Sequence, residues 1–251
     1  MALSFIGSAE NNVADASVST ITLTLPAGIA ENDVVYVAYV ASSNGGADKN
    51  MAMTTTGYSE LADLFANDAD ECNLGVYRKL MGATPDSTAE TATVATGGVP
   101  KGAAVCHVWR GVDTTTPEDA TTTTATAVNS AIPNSPSIIT VTANAIVLSA
   151  VGSSQFDATV TAPAGYANQV DITGPDTRAL AGIASKSIAS PGTEDPAAWT
   201  DITDAATEAW CAATVAIRPA AAGGTLFVNL AGHGGLGSRG GLAGFGGGLA
   251  G

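Results

Sequence analysis

Histidine occurs twice and cysteine three times in the 251-residue chain, aromatic residues make up 5% of it, and only 13% is charged. Each scarcity excludes something. His107 and His233 have no partner at metal-ligand spacing, so each reads as a packed or solvent-facing imidazole rather than a zinc ligand or a catalytic group. Cys72, Cys106 and Cys211 form no Cys-x-x-Cys pair and are odd in number, which argues against a zinc site and against a secreted disulfide scaffold. They read as small buried hydrophobes. Gly-x-Ser-x-Gly, His-Glu-x-x-His and Walker-type loops are absent, and the C-terminal glycines lack the strand, lysine and helix of a phosphate cradle. No cofactor is expected. Lys and Arg number 9 against 23 Asp and Glu, and a chain of formal charge −14 is repelled by phosphate backbones and anionic lipid heads. No run reaches the ~18 to 20 uninterrupted apolar residues that cross a bilayer. Residues 1–10 show neither a basic n-region nor a usable apolar h-region, so the expectation is synthesis in the cytoplasm without a secretory signal.

What the chain does contain, it contains twice. The run from Asp33 to Ser43 is followed by Gly57-Tyr58, by Leu74-Gly75-Val76-Tyr77-Arg78-Lys79, and by Ala103 to Arg110. Ala145 to Ser154, Gly165-Tyr166, Ala181-Gly182-Ile183-Ala184-Ser185-Lys186 and Cys211 to Arg218 answer in the same order, each displaced by roughly 108 residues. The repeat is far too long for a solenoid unit, so each copy is either half of a β-sandwich or a small sandwich of its own.

Strand signals dominate throughout. Thr20 to Leu25 alternates polar and apolar residues and then meets Pro26-Ala27-Gly28, which makes it a half-buried strand ending in a turn. Val34 to Ala41 and its twin Ile146 to Val151 are apolar nearly throughout, as in a strand covered on both faces. Further strands are expected at Leu74 to Leu80, Ala103 to Trp109, Ile138 to Thr142, Leu180 to Ser187 and Trp210 to Arg218. Ser59 to Phe65 and its twin Ala167 to Asp171 read as strand or loop. The expected fold is therefore all-β, an antiparallel β-sandwich of jelly-roll or immunoglobulin-like type, built from two duplicated halves plus a Gly-rich arm. The divisions fall at 1–113 for the first repeat, 114–136 for a Thr/Pro-rich extended connector, 137–219 for the second repeat and 220–251 for the arm. Within the arm, Thr225, Leu226, Phe227 and Val228 could form one strand, and Leu236, Leu242, Phe245 and Leu249 are spaced among glycines. These eight residues are the candidate partner-binding positions, by strand addition or by lying on a neighbour.

Two local strings invite a chemical reading. Asn67-Asp68-Ala69-Asp70-Glu71 gathers oxygen ligands of the kind Ca²⁺ uses, but it lacks the glycine and the distal glutamate of an EF-type loop and reads as a solvated acidic loop. Trp109-Arg110-Gly111-Val112-Asp113 could present an aromatic and a cation to a partner, yet its twin Ile217-Arg218-Pro219 keeps no ring, which favours packing. A glycosidase would need two carboxylates about 5 to 9.5 Å apart in a groove, and no such pair is evident.

Leu25-Pro26-Ala27-Gly28, Val34 to Val40, Gly57-Tyr58, Val76-Tyr77-Arg78-Lys79, Trp109 to Asp113 with Thr116-Pro117, and Ala216-Ile217-Arg218-Pro219 together resemble the β-sandwich virion proteins of tailed bacteriophages and related prophages. The resemblance spans roughly residues 1 to 219, and its motifs are structural. It implies a non-enzymatic structural protein of the virion, a capsid decoration or head-appendage subunit anchored by an extended arm. Its partners would be other capsid or tail proteins and copies of itself, with a trimer among the options. The alternative it implies is a tail adhesin whose glycine-rich segment contacts the host.

Overall fold

The computed structural model describes residues 2–13, 20–43, 46–68, 71–93, 101–128, 130, 132–154, 160–173, 179–200 and 209–221. Among these the chain forms strands only. In the first half they are β1 (Ser4–Val13), β2 (Thr20–Thr24), β3 (Val34–Ser43), β4 (Met51–Met53), β5 (Ser59–Ala66), β6 (Glu71–Leu80), β7 (Thr88–Thr93) and β8 (Lys101–Arg110). In the second they are β9 (Thr123–Ala127), β10 (Ile138–Thr140), β11 (Ala145–Ser153), β12 (Ala167–Thr173), β13 (Leu180–Ile188), β14 (Gly192–Glu194) and β15 (Trp210–Ile217).

The first half makes a five-stranded sheet, β1-β8-β3-β6-β5, and a three-stranded sheet, β2-β7-β4, and every pairing is antiparallel. First beside last, third beside sixth, and second beside seventh is the strand order of a jelly roll. In the second half β9-β15-β11-β13-β12 follows the same order, and β10-β14 stands where β2 and β7 stand. An isolated bridge between Thr161 and Thr200 takes the place of the β4–β7 pairing. Registers also correspond. Val34 lies between Leu80 and Trp109, and Ile146 lies between Ser187 and Ile217. Even the irregularity of β5, between Glu60 and Ala62, reappears in β12 between Ala167 and Val170.

Each half is thus a sandwich of its own, and the two large sheets also pack on each other. Their shared core holds Val34, Tyr36, Ala38, Val40, Leu74 and Trp109 from one side and Ile146, Leu148, Ala150, Ile183, Val215 and Ile217 from the other. The opposite face of β3 packs Val35, Val37 and Tyr39 against Ile21 and Leu23 of β2 and Leu25 just after it. Four layers result. Sheets buried on both faces need apolar residues at successive positions, which explains why β3, β8, β11 and β15 read as continuous runs although antiparallel sheets usually alternate.

The large sheets face each other in a reciprocal way. β3 lies over β11, β8 over β13, β6 over β15, β1 over β12 and β5 over β9. Each strand therefore meets the counterpart of the strand that meets its own counterpart, as in an isologous dimer with a two-fold axis running along β3 and β11. Where β3 meets β11, Ser42 Oγ donates to the carbonyl of Ser154 at 3.1 Å. A Cβ on Gly152 would stand 2.7 Å from Val40, so the glycine leaves the space that the valine fills.

Two edge strands complete the large sheets. β9 falls inside the stretch read as connector and forms an edge of the second large sheet, because Thr123–Ala127 alternates half-buried and exposed residues without a large apolar side chain. β1, polar in sequence, is the corresponding edge of the first sheet and is held along its length by β8.

Candidate functional site

Because β3 and β11 run side by side, the sandwich has two unlike ends. At one end β8 and β15 run past their sheets and pair with each other. Val112 bridges Pro219, Asp113 N donates to the Arg218 carbonyl at 2.9 Å, and Ala220 N donates to that of Gly111 at 2.7 Å. This closes the sandwich. The first described residues belong here too: the Ala2 carbonyl is so near Gly111, at φ 83°, that a Cβ there would stand 2.5 Å away. The crossing from one half to the other begins at this end, and the described chain leaves it at Ala221. At the opposite end lie Val13, Thr20, Ser43, Gly46, Asp68, Glu71 and Lys101 of the first half and Ser154, Thr173, Ala179 and Ala209 of the second.

Two carboxylates organise the closed end. Asp33, its side chain fully buried, takes a bidentate bond from Arg110 at 2.8 Å to each oxygen and a further one from Ala30 N at 2.8 Å. The counterpart arginine, Arg218, turns to Asp119 of the connector, 3.3 Å from Nε to Oδ1. Asp119 also accepts from Val141 N, Thr142 N and the Thr142 hydroxyl, at 2.6, 3.0 and 2.6 Å. Burial alone would push the Asp119 carboxyl up, but the Thr142 and Val141 bonds and Arg218 outweigh it and hold the group below the usual carboxylate range. Both acids act as structural ties between a strand end and its turn.

Beside them opens a groove of about 810 Å³, bordered by Leu3, Thr142, Asn144, Ile146, Pro219 and Ala221. A second hollow of about 530 Å³ lies next to it, between Glu31, Arg110, Asp113 and Ala221.

A four-residue arrangement occurs in both halves at this end. Gly57 and Gly165 hold φ of 87° and 83°, the next residue is tyrosine, and a lysine lies over each ring, Lys79 at 5.5 Å from Tyr58 and Lys186 at 5.8 Å from Tyr166. Lys79 pairs with Asp86, and Lys186 reaches both oxygens of Glu194 at 2.8 and 2.9 Å. Lysine from the large sheet, tyrosine from the turn and acid from the facing layer form a clamp across each sandwich. Arg78 pairs with Glu118 at 2.6 Å, so six cations of the described chain, with Lys49, Arg110 and Arg218, are occupied by acids. What remains facing solvent is predominantly acidic.

The candidate partner-binding positions Thr225, Leu226, Phe227, Val228, Leu236, Leu242, Phe245 and Leu249 lie outside the described residues, as do Ala69 and Asp70 of the acidic string. Glu71 is not a solvated carboxylate. It is fully buried, 3.3 Å from the Nζ of an equally buried Lys49, and accepts from Gly46 N at 2.9 Å. No group of three or more His, Cys, Asp or Glu that could hold a metal exists among the described residues. All three cysteines are buried and free, and Cys211 Sγ donates to the Cys72 carbonyl at 3.4 Å across the shared core. Trp109 is core and Arg110 belongs to the Asp33 tie, in line with the packing reading.

Sequence reasoning missed the use of His107. Its Nε2–H donates to the Asn168 carbonyl in the facing sheet at 2.7 Å, and its ring packs on Phe5 and Trp109 at 5.0 and 6.3 Å. Burial pushes its pKa down to about 4, partly opposed by that bond, so the imidazole is neutral and structural. Asn168, at φ 53° in the β12 irregularity, gave no signal in sequence. Asp86 and Glu194 could have been found: they stand at the same interval as the two Gly-Tyr pairs.

No family model matches the chain, and no curated protein or solved structure does either. No described helix is long and apolar enough to cross a membrane.

Proposed function

We propose that this chain is a non-enzymatic structural subunit displayed on a phage-type particle, as a capsid decoration or head appendage, and held there through its C-terminal arm. The observation that carries the reading is the segregation of the two ends. The N-terminal residues, the crossing between halves and the exit toward the arm share one closed end, while strand ends from both halves are presented together at the other. A module attached by one pole and exposed at the other needs that polarity. The acidic exterior and the use of polar clusters as internal ties support display rather than chemistry.

A tail adhesin would use the same polarity, with the presented end facing the host. The test is immunogold labelling of the particles released from cells that express the chain, using antibody against the purified protein. Regular label over heads supports the decoration reading, label confined to tail tips replaces it with the adhesin, and particles without label overturn both.

A further inference from the structure

Four large hydrophobic side chains are exposed among the described residues, and all fall between residues 128 and 141: Val128, Ile132, Ile139 and Val141. Ile139 and Val141 are 62% and 58% exposed and alternate with buried Ile138 and Thr140, so Ile139 of β10 and Val141, the residue after its end, both point outward. The counterpart strand β2 shows what an uncovered face looks like in this fold. There Ile21 and Leu23 point inward, and the outward positions are Thr22 and Thr24. Two strands with one place in the architecture thus differ on the face that meets solvent, threonine in one and Ile/Val in the other. A branched apolar face is out of place in water and in place under a cover.

We infer that the outer face of β10 is covered by the apolar segment of this chain's own arm, Thr225 to Leu230. The described chain ends at Ala221 in the groove that Thr142, the residue after Val141, also borders. Four residue steps separate Ala221 from Thr225, a reach of about 14 Å in extended chain, so the segment can arrive on the neighbouring face without a long excursion. Thr225-Leu-Phe-Val-Asn-Leu230 brings four large apolar side chains and no charge to a patch of the same character. The arm is glycine-rich on either side, which leaves this segment as its cohesive part.

Limited chymotrypsin digestion of the full chain tests the inference, with cleavage after Phe227 followed by mass spectrometry. In the parent protein Phe227 is protected. In the double variant Ile139→Thr, Val141→Thr, which copies the β2 pattern, cleavage there accelerates at least tenfold while the melting transition is retained. Equal rates in the two proteins overturn the inference. Protection that disappears on dilution, together with a change in mass by light scattering, would place the segment on a second copy and overturn the assignment to its own chain. None of these outcomes bears on where the protein sits on a particle.

Discussion

The two halves share strand order, register and even a bulge, and they part company where they touch each other and where they touch solvent. Gly75 and Gly182 hold the same place in β6 and β13. The first half fills the space above its glycine with the Tyr77 ring, and the second fills it with Trp199. Val40 and Gly152 hold the same place in β3 and β11 and meet at the pseudo-two-fold axis, where two valines would collide. His107 and Val215 are counterparts in β8 and β15, one hydrogen-bonded across the interface and the other purely apolar. A two-fold interface inside one chain need not be symmetric in composition, and here complementarity is obtained by letting counterparts differ in size.

The largest way to break the comparison is at Trp199, which is 1% exposed and donates to Ser149 Oγ at 2.9 Å. Trp199→Ala should cost about 4 kcal/mol in urea unfolding, whereas Tyr77→Phe, which removes only the hydroxyl bond to the Met51 carbonyl, should cost about 1 kcal/mol. A loss at Trp199→Ala no larger than that at Tyr77→Phe would show that the Trp199 ring does not fill the space above Gly182.

His107 separates the halves by pH. Its folded pKa, about 4, lies below the unfolded value near 6.5, so its contribution is complete above pH 6.5 and is lost as pH falls toward 4. The loss over that window is about 3 kcal/mol. His107→Val, which copies Val215, should remove that part of the pH dependence from stability curves measured between pH 7 and 4. A variant curve parallel to the parent's would refute the neutral buried imidazole.

The smallest effect concerns β5 and β12. Asp63 has its pKa pushed up to about 6 by burial, Asp48 and Glu60, whereas its counterpart Asp171 accepts from Gln169 at 2.7 Å. An acid raised in the fold loses stability as pH climbs through that value, so Asp63→Asn should gain at most about 1 kcal/mol at pH 7, given solvent screening. The gain should vanish below pH 4, where the Asp63 carboxyl is protonated in both states.

Much of this architecture is legible in the residues. Glycine, tyrosine and lysine at constant intervals mark the clamp, and unbroken apolar runs mark strands buried on both faces. What sequence hides is partnership between halves. Ser-Phe-Ile-Gly-Ser-Ala-Glu carries little strand signal of its own and Thr-Thr-Ala-Thr-Ala reads as connector, because an edge strand is stabilised by the ladder of its neighbour rather than by its own hydrophobicity. Glu71 looks solvated because its cation, Lys49, stands 22 positions away in another strand's approach. His107 looks idle because its acceptor is the backbone of Asn168.

The central claim is that β3 and β11 pack on each other at a pseudo-two-fold axis through counterparts of unequal size. A double-mutant cycle at Val40 and Gly152 tests it most directly. Gly152→Val alone should destabilise by about 3 kcal/mol through overpacking, and Val40→Gly alone by a similar or larger amount, about 3 to 4 kcal/mol, through a cavity and a flexible strand. The swapped protein, Val40→Gly with Gly152→Val, should recover at least about 2 kcal/mol of the summed loss. Strict additivity of the two losses would mean that these residues do not share one space, and the account of a chain folded as its own dimer would fail.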